Sequence, residues 1–294
     1  MALDVQEPPR AVIVVSSHVA RGSVGNRAAV FALETLGFPV WAVPTVLLPW
    51  HPGHGPGTRI VPPSDAFAAL LHDLEQAPWL GEVQAVLSGY LGEAGQADAV
   101  ASLVHAVKRR NPEALYLCDP VIGDKGGLYV PEEVAARQRD LLMPMADVAT
   151  PNRYELAWMT GLPLDSLAAT AEAAFDAGPA TVLVTSAPAL MARSTGNLLV
   201  TADFAMVAEH RVIDRPPNGL GDLTSAVFLA RLLDGQDPAR ALQTTTESVF
   251  EVLARTAKRG ADELTLETDA QSLAHPMAMV QTRYIQHPSG DRRA

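Results

Sequence analysis

Cysteine is nearly absent from this sequence, and long apolar runs are absent altogether. The 294 residues contain one cysteine, Cys118, so an intramolecular disulfide and a cysteine-based zinc cluster are both excluded. No uninterrupted apolar run approaches the roughly 20 residues that a membrane-spanning helix needs. The opening MALDVQEPPR holds no basic segment followed by an apolar core, so we expect no signal peptide. These features predict a soluble protein of a reducing compartment, the cytoplasm.

Basic residues are also scarce relative to acidic ones. There are 22 Lys and Arg against 33 Asp and Glu, which gives a formal net charge of −11. Nucleic acids and anionic membranes are bound by clustered Lys and Arg, so we expect neither as a partner. A small anionic ligand is still compatible with this charge, because a local pocket can bind it. Hydrophobic residues at 48% and charged residues at 19% are typical of a globular chain.

Short β-branched runs alternate with longer helical patterns along the chain. Strands separated by helices imply right-handed crossovers and a parallel sheet covered on both faces. The sequence therefore predicts an α/β fold: a three-layer α/β/α sandwich around a central, mostly parallel sheet, with a hairpin at 196–213 adding antiparallel strands at one edge. The predicted strands are 11–17, 39–47 (weakened by its proline), 83–89, 114–120, 146–150 and 180–186, and the predicted helices are 26–37, 64–77, 94–110, 131–142, 153–160, 166–177, 222–235 and 238–259.

The chain reads as one domain. No linker rich in Pro, Gly and Ser interrupts its middle, and no internal repeat is present, so we expect a single domain over residues 1–294. The stretch from about 47 to 60 is rich in Gly, Pro and His, and we predict that it forms a mobile lid over a substrate. The stretch from about 284 to 294 is predicted to be a frayed tail.

Polar and flexible residues follow several of the predicted strands. Ligands of open parallel sheets bind beyond the carboxyl ends of the strands, so residues that follow different strands can converge there. Their shared position predicts a ligand site at that end of the sheet. The segments are SSHVARGSVGN (16–26), SGYLGE (88–93), DPVIGDKGG (119–127), TPNRYE (150–155) and TSAPA (185–189).

Two familiar phosphate-binding motifs are missing. The P-loop pattern G-x-x-x-x-G-K-[ST] does not occur, and RGSVGN (21–26) lacks the G-x-G-x-x-G spacing of dinucleotide folds. The stretch RPPNGLGDLTSAVF (215–228) instead places Gly219 and Gly221 before a helix, whose free N–H groups attract anions. The residues alone leave two readings of Asp222 open: an N-cap without further function, or a base that deprotonates an attacking hydroxyl.

Segments spread over most of the chain, from about residue 11 to about residue 255, resemble the pyridoxal kinases of the ribokinase-like superfamily. The Gly-x-Gly-Asp piece marks the superfamily, while the SHV and GYLG pieces point to the pyridoxal branch. The matching segments are SHVARGSVGN (17–26), LSGYLG (87–92), CDPVIGDKGGLYV (118–130), ATPNRYE (149–155) and NGLGDLTSA (218–226).

This resemblance implies an activity and its cofactors. The reaction would be ATP-dependent phosphorylation of the 5′-hydroxymethyl group of pyridoxal, giving pyridoxal 5′-phosphate in vitamin B6 salvage. Pyridoxine and pyridoxamine would be further acceptors. Mg²⁺, a monovalent cation such as K⁺ and a homodimer are implied in the same way.

The resemblance also assigns roles to matching residues. Asp222 would be the catalytic base, and the anion hole for the γ-phosphoryl group would be formed by the backbone of Gly219, Leu220 and Gly221. The metal would be organised by Asp119, Thr150 and Glu155. The nucleotide region would be lined by Asp119, Asp124, Asn152, Thr185 and Ser186. The substrate would be contacted by Ser17, Val24, Tyr90, Trp50 and His51.

Several of these residues also have a purely structural reading. Asp119 and Asp124 are ordinary turn residues, and Glu155 is an ordinary acid of a first helical turn. Ser17 could be a simple strand-end hydroxyl, and Tyr90 could serve in packing only.

The chain departs from the resemblance in the segment PTVLLPWHP (44–52), where the family usually carries a polar run. Only Val46 and His51 match that run, so several hydrogen-bond partners near the expected ring pocket are lost. Trp50 would either stack on a pyridine ring or cover the site. The departure keeps two alternatives open: a kinase of a related compound such as hydroxymethylpyrimidine, and a non-catalytic small-molecule binder with this fold.

Overall fold

The computed structural model describes residues 10–293, so the predictions for the first nine residues and for residue 294 lie outside the described part. Nine of the strands form one sheet, and the remaining two form a short separate hairpin. The strands are β1 (Ala11–Val19), β2 (Val40–Leu48), β3 (Val83–Ser88), β4 (Leu115–Cys118), β5 (Gly123–Asp124), β6 (Gly127–Leu128), β7 (Val148–Ala149), β8 (Thr181–Ala187), β9 (Ser194–Val200), β10 (Ala205–Arg211) and β11 (Gln281–Ile285).

The sheet is mixed but mostly parallel. Its order is β11-β10-β9-β8-β7-β4-β3-β1-β2. The block from β8 to β2 is parallel throughout, so the carboxyl ends of these strands share one end of the sheet. The strands β9, β10 and β11 pair antiparallel at the other side. The predicted parallel sheet with an antiparallel edge is confirmed.

Helices cover both faces of the sheet, which confirms the three-layer sandwich. One face is packed by α1, α8, α9 and α10, and the other by the remaining helices. The helices are α1 (Asn26–Thr35), α2 (Ser64–Glu75), α3 (Gly95–Arg110), α4 (Glu132–Arg137), α5 (Met143–Met145), α6 (Arg153–Thr160), α7 (Leu167–Phe175), α8 (Leu220–Leu233), α9 (Pro238–Arg259) and α10 (Ala270–Ala274).

The central strand β1 shows why its sequence reads as a continuous apolar run. Successive side chains of a strand point to opposite faces, and here both faces are covered. Val12 and Val14 pack into the core beneath α1 and α8, whereas Ile13 and Val15 pack into the core beneath α2 and α3. A strand buried on both sides therefore needs no polar alternation.

The proline that weakened the prediction of the second strand lies where a sheet tolerates it. Pro44 is in β2, which forms the outer edge of the sheet and has β1 as its one neighbouring strand. An edge strand has one side free of ladder bonds, so the missing N–H of a proline costs little there.

The C-terminal segment differs from the frayed tail that we predicted from about residue 284. Tyr284 and Ile285 belong to β11 and pair with β10. His287 then bonds the carbonyl oxygen of Thr201 through Nε2 at 3.0 Å, and its ring stacks edge-on against Phe175. The frayed tail was predicted from the amino-acid composition of this segment, and these tertiary contacts order it instead.

Among the described residues, no helix is both long and apolar enough to cross a membrane.

Candidate active site

A cavity of about 600 Å³ opens at the carboxyl ends of the parallel strands. Residues that follow β1, β3, β4, β7 and β8 meet there with the first turn of α8, as the positions of the polar segments predicted. The predicted site residues that line it are Ser17, Val24, His51, Tyr90, Asp119, Thr150, Asn152, Glu155, Thr185, Gly219, Gly221 and Asp222.

Four predicted site residues do not line this cavity. Trp50 instead donates its indole N–H to the carbonyl oxygen of Gly55 at 3.1 Å and is 37% exposed. Asp124 accepts the N–H of Gly126 at 2.6 Å, which is the turn role that its residue type allowed. The other two are Ser186, which is exposed with a φ of 54°, and Leu220, whose side chain packs against the core.

The start of α8 excludes one of the two readings of Asp222. The N-cap of the helix is Gly219, with φ 93°, and no side chain caps the first turn. Asp222 is the third residue of the helix and so is not its N-cap. A Cβ at Gly219 would overlap the carbonyl oxygen of Ser23, whereas a Cβ at Gly221 would meet nothing within 4 Å. The uncapped turn leaves backbone N–H groups available to an anion.

The two aspartates of the cavity have strongly displaced pKa values. Burial raises the pKa of Asp222 to about 6, although backbone N–H groups of Gly25 and of Asp222 itself favour its charged form. Burial, and next the negative charge of Asp222, raise the pKa of Asp119 to about 8. Hydroxyl groups of Ser225 and Thr150 oppose that rise. Two carboxyls that titrate near neutral pH in one cavity indicate a functional site.

Asn152 and Glu155 form a capping box at the start of α6. Asn152 Oδ1 accepts the Glu155 N–H at 2.9 Å, and Glu155 Oε2 accepts the Asn152 N–H at 2.7 Å. Glu155 Oε1 accepts the N–H of Ile122 at 3.0 Å, and Asn152 Nδ2 donates to the carbonyl oxygen of Gly123 at 2.8 Å. Burial, followed by the charge of Asp119, raises the pKa of Glu155 well above its usual value. The pair thus fixes the loop that follows Asp119.

The cavity contains more negative than positive groups. Asp119, Glu155 and Asp222 line it, and Arg59 is the one Arg or Lys among its lining residues within 10–293. Buried carboxylates are normally paired or bound to cations, and Mg²⁺ takes oxygen ligands while keeping several waters. No group of three Asp, Glu, His or Cys side chains within the described residues is close enough to hold a metal unaided. This donor set fits a hydrated Mg²⁺ shared with phosphate oxygens.

The opposite end of the cavity is formed by the loop after β1, by Tyr90 and by the lid. Ser16 Oγ accepts the N–H of Tyr90 at 3.2 Å, which ties the ends of β1 and β3 together. His51 Nδ1 accepts the N–H of Gly53 at 3.0 Å, so the neutral ring carries its proton on Nε2. Burial lowers the pKa of His51 and favours that neutral form.

The lid, residues 47–60, is closed at its base and anchored at its tip. Leu47 and Ile60 exchange two backbone hydrogen bonds of 2.8 and 3.0 Å. His54 Nε2 lies 2.8 Å from Glu263 Oε1, and the same carboxylate is 3.6 Å from Arg21. The lid therefore covers the cavity through His51, Pro52 and Gly53, while a surface network holds its tip.

Sequence reasoning missed several polar residues of this region, among them Arg59 and Ser225. Arg59, at the end of the lid, lines the cavity and donates to the carbonyl oxygen of Gly92 at 2.7 Å. Ser225 lies behind the cavity and bonds Asp119. The available signals were weak: Arg59 is the only charged residue of the lid apart from histidines, and Ser225 follows Asp222 by three residues, which places both on one side of a helix.

Comparison with known proteins agrees with this architecture. A protein-family model described as phosphomethylpyrimidine kinase matches residues 73–267 of this chain. Pyridoxal kinase PdxY of Rubrobacter xylanophilus is 37% identical over 281 residues, covering 93% of this chain and 97% of that protein. Pyridoxal kinase PdxY of Corynebacterium diphtheriae is 35% identical, covering 93% and 99%. The structure of pyridoxal kinase from Leishmania donovani in complex with ADP and pyridoxamine has a TM-score of 0.88 at 27% identity, covering 94% and 100%.

Two features define the ribokinase-like class of kinases: the three-layer sandwich, and a helix that begins after glycine at the carboxyl end of the parallel sheet. Within that class, the chain belongs to the pyridoxal kinase family.

Proposed function

We propose that this protein phosphorylates the 5′-hydroxymethyl group of pyridoxal with ATP and gives pyridoxal 5′-phosphate. One observation carries the proposal: a carboxyl with a pKa of about 6, Asp222, lines the cavity from the first turn of an uncapped, glycine-led helix. An anion site beside a carboxylate suits a reaction in which a phosphoryl group is transferred to a hydroxyl that must lose its proton.

The reaction balances with these groups. The 5′-oxygen of the acceptor forms a bond to the γ-phosphorus of ATP, the bond from that phosphorus to the leaving oxygen of ADP breaks, and Asp222 takes the hydroxyl proton. The backbone N–H groups of Gly219, Leu220 and Gly221 would stabilise the charge on the transferred group, because groups fixed in advance need no reorganisation. Leu220 contributes through its backbone only.

The cation side of the cavity would be formed by Asp119 and Thr150, with Glu155 in support. When bound, Mg²⁺ would neutralise the charge that builds up on the phosphate oxygens. Glu155 already accepts backbone N–H groups with both oxygens, so we assign it to fixing the loop near the metal. A K⁺ ion is a further candidate for the same region. Asn152 and Thr185, which line the cavity, would face the nucleotide, whereas Asp124 and Ser186 would reach it only from the solvent side.

The acceptor would lie between Ser17, Val24 and Tyr90 beneath the lid. Ser17 would bond the pyridine ring, and His51 would offer its Nε2–H to a ring substituent. Trp50 would contribute cover rather than stacking, because its indole is bonded within the lid. Pyridoxine and pyridoxamine would be accepted through the same ring contacts. We further propose a homodimer in the cytoplasm, the latter supported by Cys118 being buried and free.

Release of ADP in a coupled assay with each B6 vitamer tests the activity. Asp222→Asn keeps the size of the side chain and removes the base, so kcat should fall by about 10²–10⁴-fold. Turnover within tenfold of wild type would contradict the assignment of Asp222.

A second candidate acceptor is a hydroxymethylpyrimidine, which the description of the matching family model favours. Arg59 favours pyridoxal as the acceptor. Its guanidinium on the cavity wall would attract the acidic 3-hydroxyl of a pyridoxal ring but would not attract the amino group of a hydroxymethylpyrimidine. Comparison of kcat/KM for the two compounds decides between them. Ligand binding by calorimetry without any ADP release would instead support a non-catalytic binder.

A further inference from the structure

Ser225 is a buried hydroxyl for which the proposed reaction has no task. It lies in α8, three residues after Asp222, and its exposed fraction is 0%. A buried hydroxyl needs hydrogen-bond partners, and those of Ser225 belong to the site.

Three groups surround the Ser225 oxygen at hydrogen-bond distance. Asp119 Oδ2 is 2.8 Å away, Thr150 Oγ1 is 2.8 Å away and the carbonyl oxygen of Gly221 is 2.9 Å away. Asp119 follows β4, Thr150 follows β7, and Gly221 lies in the first turn of α8. One hydroxyl therefore joins the two strand ends on the cation side to the helix turn on the phosphate side.

The protons can be assigned by counting. A serine hydroxyl donates once and accepts through its lone pairs. If it donates to the Asp119 carboxylate, the Thr150 hydroxyl can donate either to Ser225 or to Asp119 itself, and the Gly221 carbonyl is left as a competing acceptor of the Ser225 proton. The charge-assisted bond to the carboxylate is the stronger of the two possible donations. The resulting chain runs from Thr150 through Ser225 to Asp119.

We propose that Ser225 is a positioning residue that fixes Asp119 and Thr150 relative to the first turn of α8. This inference rests on the proposed function, because in that reaction the hydrogen bonds of Ser225 would keep a constant distance between the cation and the transferred phosphoryl group. Once a bound cation favours the ionised form of both, Asp119 and Asp222 carry like charges in one cavity, and the Ser225 donor on α8 opposes their repulsion by holding Asp119 toward the helix.

The same helix offers a matched control one residue earlier. Thr224 is also buried, and its hydroxyl donates to the carbonyl oxygen of Leu220 at 2.7 Å, the same backward bond that Ser225 makes toward Gly221. Within the described residues, no hydrogen bond joins Thr224 to a carboxylate. Thr224→Ala thus removes a buried helix hydroxyl and leaves the Asp119 contact intact.

The experiment measures Mn²⁺ binding in the presence of ADP by electron paramagnetic resonance, together with the Tm of each metal-free variant. Loss of a residue that orients a metal ligand typically weakens metal binding by about 10–100-fold, and we expect that loss in Ser225→Ala. Thr224→Ala should bind Mn²⁺ like wild type. Ser225→Cys fills the same space with a weak donor, so it should resemble Ser225→Ala in affinity and wild type in Tm.

The outcomes separate this inference from the proposed function. Asp119→Asn tests the cation site itself, and unchanged Mn²⁺ binding in that variant would overturn both. Weak binding in Asp119→Asn with wild-type binding in Ser225→Ala would overturn the positioning role alone. Wild-type affinity in Ser225→Cys, or an equal loss in Thr224→Ala, would show that packing rather than the hydroxyl matters, and would overturn it as well.

Discussion

The two ends of the cavity are built in different ways. At the phosphate end, Asp119, Thr150, Glu155 and Ser225 are buried, and each is bonded to residues of another element. At the acceptor end, the lid covers the cavity with exposed loop residues and touches the rest of the chain through a few bonds such as Arg59 to Gly92. In the proposed reaction, phosphoryl transfer needs fixed geometry, whereas the choice of acceptor would be set by a segment that can change independently.

After Asp222→Asn, the largest expected effect lies in the glycine turn of α8. Gly221→Ala adds a methyl group in open space within the cavity, so the fold should be unaffected while the phosphoryl group is displaced. A displacement of this kind costs about 10²-fold, which should appear in kcat/KM for ATP with an unchanged Tm. Gly219→Ala is the counterpart, because the overlap with Ser23 and the φ of 93° should lower Tm as well. Equal behaviour of the two variants would contradict this distinction.

The pH dependence of the reaction reports on Asp222. As the proposed base, Asp222 acts only when it is ionised, and its pKa is raised to about 6. Activity should therefore be constant above that pH and fall as pH decreases through it, by roughly tenfold per pH unit. An ordinary aspartate would place the same decline near pH 4. A pH profile of kcat/KM for pyridoxal at saturating ATP distinguishes the two.

The stability of the metal-free protein should also reflect the crowded carboxyls. Asp119 has a folded-state pKa of about 8, whereas an aspartate in the unfolded chain has its ordinary pKa of 3.8, so between these values the folded state binds more protons than the unfolded state. Stability consequently decreases as pH rises from about 4 to about 8. Asp119→Asn removes the cost of the buried charge and should raise Tm at pH 8 with little effect at pH 5. A lower Tm at pH 8 would show that the charge is compensated in the free protein.

The smallest effect is expected at the acceptor end. Arg59→Gln removes a charge that is exposed at the cavity rim, and exposed pairs are worth at most about 1 kcal/mol. We expect a loss of about fivefold in kcat/KM for pyridoxal and none for a hydroxymethylpyrimidine. Arg139→Gln, at a partly exposed arginine that is paired with Asp140 and does not line the cavity, is the control. Equal losses for both acceptors would remove the argument that Arg59 selects the ring.

The regular elements were predictable because their signals are local. The run at 11–17 gave β1, and the helical patterns placed the layers, since hydrophobic periodicity follows directly from burial. Eight of the twelve predicted residues that line the cavity lie in the segments at the ends of parallel strands, because parallel strands share their carboxyl ends; the other four belong to the lid and to the start of α8.

Side-chain directions in loops were not predictable. Ser186 lies near the end of β8, where the pairing with β9 is irregular, and its φ of 54° leaves it exposed; such dihedrals are set by the surroundings rather than by residue type. Asp222 was an acceptable N-cap by residue type, but the helix begins earlier, at Leu220. Its N-cap is Gly219, whose backbone lies close to Ser23. Ser225 and His287 gained their partners from distant segments, and no spacing in the sequence indicates those contacts.

The bridge between Leu47 and Ile60 has a consequence for how this enzyme family can diversify. A loop whose ends are already joined can change in length at small entropic cost, about 0.6 kcal/mol for each doubling. Insertions, deletions or an exchanged lid should therefore leave β2 and the neighbouring strand ends in place. If the lid selects the acceptor as proposed, grafting this one segment should alter the acceptor range of the scaffold and leave the phosphoryl-transfer residues unchanged.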